Sequence, residues 1–379
     1  MKITDLEVYH VRVPLKEPFY PSWVPGYPQG ANSFTLVRVK TDDSDIEGIS
    51  AAPAMGEEAG GIRQLLLPFT LGRDPFNVEG MVRMLRNATF LGHRLWFIEV
   101  ALWDIIGKAA NLPVYRLLGG SRSKIRAYAS TGEIRGAKQR VKDVLRLREQ
   151  GFRAVKLRFH SARVSKDLEV LRAVRDAAGG DLEIMVDANQ GWKVTGLGEF
   201  EEYTFKTAVR VARELEKHDV RWFEEPLGKN DYAGLAALRE TTSVPIAGGE
   251  MNSDIHEFRE LIERGCLDVI QPDATLSGGI LNSIKVAGMA QAHDLEFCPH
   301  TWTNGIGLAA NLQVMCAVQN CPYCEFPVEE PSWTPEARDA VLTRPFLPGS
   351  DGFIEIPDGP GLGIEIDEDA LKRFGKKLE

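Results

Sequence analysis

Leu182-Glu183-Ile184-Met185-Val186-Asp187-Ala188-Asn189, then Trp222-Phe223-Glu224-Glu225-Pro226, then Pro245-Ile246-Ala247-Gly248-Gly249-Glu250 share one form: a short apolar run closed by an acid. A run this short, bounded by Gly, Pro or charge, reads as a strand buried on both faces, as in a parallel sheet. The segment between the first two, residues 207–218, is amphipathic at helical spacing, as is 165–178 just before them. Working outward, the same unit recurs. Candidate strands fall at residues 125–129, 154–158, 182–187, 222–225, 245–249, 269–272, 296–299 and 323–328, with further helices at 138–150 and 255–264. Eight strand–helix units predict an α/β chain with a parallel (β/α)8, TIM-like barrel. The competing architecture is a doubly wound sheet, which gathers its site at one switch point. Here strand after strand ends in an acid or another catalytic-type side chain, and that favours the barrel.

Ahead of this region the texture differs. Leu6-Glu7-Val8-Tyr9-His10-Val11-Arg12-Val13-Pro14 and Ser33-Phe34-Thr35-Leu36-Val37-Arg38-Val39 alternate as strands do. Between them, residues 18–30 are rich in Pro, Gly and aromatics and read as a long, functional loop. Residues 61–118 turn helical; the stretch from Phe97 to Ala109 is apolar enough to be a buried helix, and Leu117-Leu118-Gly119-Gly120 stops the pattern. The tail from Gly352 onward is long enough to fold back onto the N-terminal domain.

Composition narrows the function classes. A net charge of −9 argues against non-specific nucleic-acid binding, though a local metal ion or a few Lys/Arg can still receive an anionic small molecule. No run approaches the roughly 20 apolar residues of a membrane span, and the N-terminal residues lack an apolar secretory core, so no membrane partner and a cytoplasmic location are expected. Five scattered cysteines suggest no disulfide framework. Cys321-Pro322-Tyr323-Cys324 has dithiol spacing, but it runs into a strand rather than opening a helix, where the dipole would activate a thiol. Two buried thiols is the better reading.

The strand ends carry the chemistry. Asp187, Glu224 and Glu250 come from three successive strands, and three ionised carboxylates brought together need a cation between them. An all-oxygen set with room for water favours Mg²⁺. Asp273 ends the next strand and His300 the one after; a carboxylate behind an imidazole fixes its tautomer, so this pair is expected to be a general acid/base. His10, His93, His160, His218, His256 and His293 earn no such role from their settings. Lys156 and Arg158 alternate and can both face the interior, Lys156 as a base if burial lowers its pKa, Arg158 as a fixed cation. Glu325, if kept protonated, would donate a hydrogen bond to a substrate oxygen.

Taken together, Lys156-x-Arg158, Asp187-x-Asn189, Glu224-Glu225-Pro226, Gly248-Gly249-Glu250, Asp273, His300 and Glu325 resemble the enolase superfamily, in the group of mandelate racemase and the acid-sugar dehydratases. Ala101-Leu102-Trp103-Asp104-Ile105-Ile106-Gly107-Lys108 and Gly359-Pro360-Gly361-Leu362-Gly363-Ile364 fit as well. The resemblance implies a capping α+β domain over residues 1–120, a barrel over 121–345, and a segment at 346–379 that packs back on the cap. It implies cap loops near 18–30 and 51–60 closing over the substrate, Mg²⁺ on Asp187, Glu224 and Glu250, and Asn189 near the substrate. The implied reaction is abstraction of the proton α to a carboxylate, with the enediolate stabilised by the cation. Racemases of this group place Lys where Arg158 stands, so one-base chemistry from His300, elimination of water from an aldonate or aldarate, is the expectation, with α-hydroxy-acid racemisation as the alternative. A related branch with Lys on the sixth strand performs cycloisomerisation; Asp273 there counts against it. Trp23, Tyr27 and Trp302 are candidate substrate contacts. Relatives are commonly dimers or octamers, so a homo-oligomer is expected.

Overall fold

The structure is a computed structural model that describes all residues except 54, 55, 92, 93, 121, 196 and 379, and leaves the side chains of 57, 58 and 91 undescribed. His93 and part of the 51–60 loop therefore lie outside the described residues.

The N-terminal alternation becomes an antiparallel sheet of β1 (Ile3–Phe19), β2 (Gln29–Thr41) and β3 (Glu47–Pro53). Because β1 runs through Phe19, the connecting loop is only residues 20–28. A register shift between Ile3 and Asp5 lets Ile3 share a face with Leu6 and Val8, the face where Val37 and Val39 of β2 also lie. That face is covered by Ile62 and Leu66 of α1 (Gly60–Thr70), Val82 and Leu85 of α2 (Val78–Ala88), and Phe97, Ala101 and Ile105 of α3 (Phe97–Ala110). A short α4 (Val114–Leu117) leads out.

The barrel strands are β4 (Lys124–Ser130), β5 (Ala154–Arg158), β6 (Glu183–Asp187), β7 (Val220–Glu224), β8 (Ile246–Gly248), β9 (Val269–Ile270), β10 (Glu296–Phe297) and β11 (Tyr323–Pro327). All pair in parallel, in the order β10-β9-β8-β7-β6-β5-β4-β11. The connecting helices are α5 (Ala137–Glu149), α6 (Val164–Ala178), α7 (Phe205–Glu216), α8 (Tyr232–Arg239), α9 (Asp254–Glu263), α10 (Gly279–Ala292) and α11 (Gly305–Ala317), followed by α12 (Pro335–Arg338). The two ends of that order meet without a regular ladder: Thr301 Oγ1 donates to Glu325 O at 2.8 Å and Phe297 N to Asn320 O at 2.9 Å. Inside, Tyr128, Ala154, Met185, Trp222, Ala247, Val269, Cys298 and Tyr323 form one buried layer, a residue from each strand or its immediate end. A buried cluster drawing on all eight strands, with β10 and β11 joined by those contacts, fits a closed barrel and not a doubly wound sheet. Among the described residues, no helix is long and apolar enough to cross a membrane.

The tail divides its attachments. Its first part, β12 (Phe353–Glu355), pairs antiparallel with β4 of the barrel, a pairing that a simple return to the N-terminal domain did not foresee. After α13 (Glu368–Phe374), β13 (Gly375–Leu378) pairs with β1. Between them the two glycine-bearing motifs meet. Asp104 of α3 accepts from Leu362 N at 2.8 Å and from Ile49 N at 2.9 Å, joining tail, helix and cap sheet. Gly361 has φ +73, and a Cβ there would lie 2.1 Å from Asp104 Oδ1, so only glycine fits. All five cysteines are free and buried, and Cys324 sits within β11, where burial pushes its thiol far above the ordinary range; a redox pair is not supported.

Candidate active site

The register of the barrel sets the site. Arg158 is level with Asp187, and Asp187 with Glu224, at the C-terminal ends of β5, β6 and β7. Glu224 is in turn level with Ala247 of β8, and Glu250 follows that strand. The acids thus rise side by side from one rim of the mouth, and Asp273 and His300 follow β9 and β10 on the next part of it.

Each acid has a side-chain cation. Lys156 Nζ lies 2.6 Å from Glu224 Oε1, 2.7 Å from Glu325 Oε1 and 3.7 Å from Asp187 Oδ2. Arg158 pairs with Asp187, and its Nε donates to Thr131 O at 2.6 Å. His300 Nδ1 is 3.0 Å from Asp273 Oδ2 and Nε2 is 3.4 Å from Glu250 Oε2. Among the described residues, no three His, Cys, Asp or Glu side chains are drawn together into a ready-made metal cage. The donor set nonetheless suits a hard divalent ion. Asp187, under burial and then repulsion from Glu224, is pushed up to about 7 despite Arg158 and Lys156, a shift that a cation shared with Glu224 would oppose.

Two expected charge states meet opposing neighbours. Burial alone would pull Lys156 down, but Glu224 and Glu325 outweigh it and hold the ammonium well above an ordinary lysine. With these carboxylates facing it, Lys156 is held as an ammonium rather than as a free base. Burial alone would raise Glu325, yet Lys156, His300 and Arg158 bring it to about 2. It is a carboxylate that accepts from Ser130 Oγ at 2.7 Å and Thr301 N at 2.8 Å, not a neutral donor. At His300, Glu250, Glu325 and Asp273 overcome burial and carry the ring up to about 10; a cation on Glu250 would remove part of that pull and favour the neutral ring that a base requires.

The candidate substrate contacts divide. Trp23 and Trp302 meet edge to face with centroids 4.7 Å apart, and the Arg158 guanidinium lies 5.2 Å from each ring. Phe19 and Trp333 complete this aromatic wall. Tyr27 sits at the loop tip, 52% exposed, and does not join it. Asn189 is buried beside Asp187, to which its backbone N donates at 2.7 Å and its Nδ2 at 3.0 Å.

Several participants were not foreseen. Trp222 Nε1 and Gln271 Nε2 donate to Glu224 Oε2 at 3.1 and 3.0 Å, fixing the carboxylate from below. Glu225 is buried with φ +44, and its Oε2 makes no hydrogen bond. A Cβ on Gly191 would fall 1.9 Å from Glu225 Oε1, so that glycine is what admits the carboxylate. Left-handed φ at both Asn189 (+48) and Glu225 is backbone strain of the kind that collects at functional sites. Arg94 of the cap donates to Met251 O at 2.7 Å and feels the charge of Glu250. The alternation in β7 could have flagged Trp222, two residues before the acid and so on the same face; nothing in the sequence ties Arg94 to a loop so distant in the chain.

Comparison with known proteins agrees with this fold. Residues 3–119 match the family model described as the mandelate racemase / muconate lactonizing enzyme N-terminal domain, and residues 139–370 the model described as enolase C-terminal domain-like. The chain is 33% identical over 392 residues to a D-galactarolactone cycloisomerase of Agrobacterium fabrum, covering 99% of both. It is 33% identical over 328 residues to an arabinonate dehydratase of Saccharolobus solfataricus, covering 83% of this chain and 82% of the relative. A crystal structure of D-glucarate dehydratase from Agrobacterium tumefaciens complexed with magnesium superposes with a TM-score of 0.85 at 26% identity, covering 99% of each chain.

Proposed function

Because this chain belongs to the mandelate racemase / muconate lactonizing enzyme family of the enolase superfamily, we propose that it removes the proton α to the carboxylate of a sugar acid and expels water from the β-carbon. The product is a 2-keto-3-deoxy acid from an aldonate or aldarate. The observation that carries this reading is the Asp273–His300 pair, 3.0 Å apart, with the other ring nitrogen turned toward the acid-lined mouth.

Asp187, Glu224 and Glu250 would hold Mg²⁺, which when bound neutralises charge gathering on the substrate carboxylate as the α-proton leaves. The chain's own residues supply the rest. Lys156 and Arg158 are cations beside Glu224 and Asp187, stabilising that same charge from within a site sheltered from water. Glu325 orients Lys156 and, through the Thr301 amide, ties it to the rim that carries His300. In its neutral form, with Nδ1–H held by Asp273, His300 takes the α-proton on Nε2. It then returns a proton to the β-hydroxyl as the C–O bond breaks, and the enol left behind tautomerises to the ketone. Racemisation needs a second base on the other face. Lys156 is held charged by two carboxylates and Arg158 cannot practically lose its proton, so both disfavour it.

One second reading has support. The similarity to a cycloisomerase over 99% of both chains restores a reaction class that Asp273 in place of the sixth-strand lysine had counted against. A ring oxygen at the β-carbon would turn the same elimination into ring opening. Screening acyclic sugar acids and their lactones with Mg²⁺, for keto product and for solvent deuterium at the α-carbon, separates these outcomes. Deuterium entering with inversion and no keto product would replace both with racemisation. Turnover that survives chelation would remove the metal from the account.

A further inference from the structure

The loop of residues 20–28 is fastened to the barrel mouth at several points. Tyr20 N donates to Glu133 Oε1 at 3.0 Å, Ser22 N donates to Gly132 O at 2.8 Å, and Trp23 rests on Trp302. These fastenings use loops that follow β4 and β10. Ser22 makes one more contact, to the loop after β6, and this one points inward. Its Oγ, on a residue only 3% exposed, donates to Asn189 Oδ1 at 2.7 Å.

The orientation of the Asn189 amide follows from chemistry. Asp187 Oδ1 accepts from the backbone N of Asn189 and Oδ2 from Arg158, so both oxygens act as acceptors and the Nδ2 group of Asn189 faces Oδ2, as it does at 3.0 Å. That leaves Oδ1 pointing at the loop, where it needs a donor because the residue is buried. Ser22 is that donor. The result is a chain of hydrogen bonds from loop to acid: Ser22 Oγ to Asn189 Oδ1, Asn189 Nδ2 to Asp187 Oδ2. Asn189 is held at φ +48, so its backbone is set for this pose and the side-chain amide is the part left to be oriented.

From this geometry we infer that Ser22 is a positioning residue: seating of the 20–28 loop orients Asn189, and Asn189 in turn aims the Asp187 carboxylate into the site. The inference rests on Asp187 being a metal ligand, as proposed above. Loop closure and metal affinity are then two readings of one hydrogen-bond chain, because groups that orient a ligand typically contribute 10- to 100-fold to metal affinity or activity.

The test is calorimetric titration of Mg²⁺ into the substrate-free full-length protein, as wild type, Ser22→Ala, Asn189→Ala and the double variant, with an unfolding midpoint for each. Expected is a loss of roughly 10-fold in Mg²⁺ affinity for Ser22→Ala. On the Asn189→Ala background, the same Ser22 change should add less than about 2-fold, since the chain is already cut. Equal losses on both backgrounds, or a Ser22→Ala affinity within about 2-fold of wild type, would overturn the inference and leave the metal assignment standing. A wild type that takes up no Mg²⁺ would defeat the metal assignment and this inference with it. A variant that merely destabilised the fold would shift the unfolding midpoint without showing the dependence on Asn189.

Discussion

Replacing Asp273 with Asn tests the acid/base assignment through a consequence the structure spells out. Oδ1 of Asp273 accepts from Thr275 N at 2.7 Å, Thr275 Oγ1 at 2.8 Å and Asn311 Nδ2 at 3.1 Å, while Oδ2 faces His300 Nδ1. An asparagine would keep its oxygen toward those three donors, since turning the amide over would point its NH₂ at two groups that can only donate. Its Nδ2 would then face His300 and donate to Nδ1. The ring proton moves to Nε2, where Glu250 Oε2 at 3.4 Å welcomes it. The imidazole is now in the wrong tautomer to take a proton, though nothing has shifted in space. A positioned general base contributes about 10²- to 10⁴-fold, so kcat should fall by that factor, roughly 3–5 kcal/mol of barrier. The assay is loss of substrate α-proton in deuterated solvent, followed by NMR with whichever sugar acid the wild type turns over, alongside a melting curve. The reasoning is refuted if Asp273→Asn retains activity within about 10-fold while the protein stays folded.

Two further outcomes bear on the scaffold. Gly361→Ala puts a methyl 2.1 Å from Asp104 Oδ1 at φ +73, so denaturant unfolding should show a loss of at least about 2 kcal/mol from left-handed strain and overpacking; a loss under about 0.5 kcal/mol would mean the tail does not dock on α3 as described. Asp167 is pushed up to about 7 by burial, against the pull of Ser161, whose hydroxyl and amide both donate to it. A folded-state pKa above the ordinary 3.8 means the native state holds the proton more tightly, so its stability contribution is complete below about 3.8 and lost as pH rises through about 7. At about 1.4 kcal/mol per unit, that is on the order of 4 kcal/mol. Asp167→Asn should flatten this part of the stability–pH curve, and equal slopes for variant and wild type would contradict it.

Much of the fold is legible in the sequence because barrel strands are short apolar runs with abrupt ends. All eight were placed, even β9 and β10, which shrink to two residues each because Pro272 and Pro299 follow closely and cannot donate to a ladder. What escaped lacked periodicity: β12 is three residues of tail whose partner, β4, lies more than two hundred residues earlier. The acids and His300 were legible because a parallel barrel directs its strand ends to one mouth. Their charge states were not. Lys156 can be a base or a fixed cation, and Glu325 a donor or an acceptor, depending on neighbours brought in from other strands. Ser22 and Gln271 carry no motif, since their roles come from what they touch. Tyr27 stands exposed, and for a related reason this was not legible: a loop rich in aromatics does not reveal which of them face inward.

The central claim is that one divalent ion belongs between Asp187, Glu224 and Glu250. The most direct measurement is an anomalous difference map from crystals grown with Mn²⁺ in place of Mg²⁺. The account predicts a single strong peak bounded by these three carboxylates, at roughly the 2.0–2.2 Å expected for small divalent ions on oxygen, with Lys156 and Arg158 withdrawn from Glu224 and Asp187. A map with no peak there, or with the ion held elsewhere while Lys156 keeps its contact to Glu224, would contradict it.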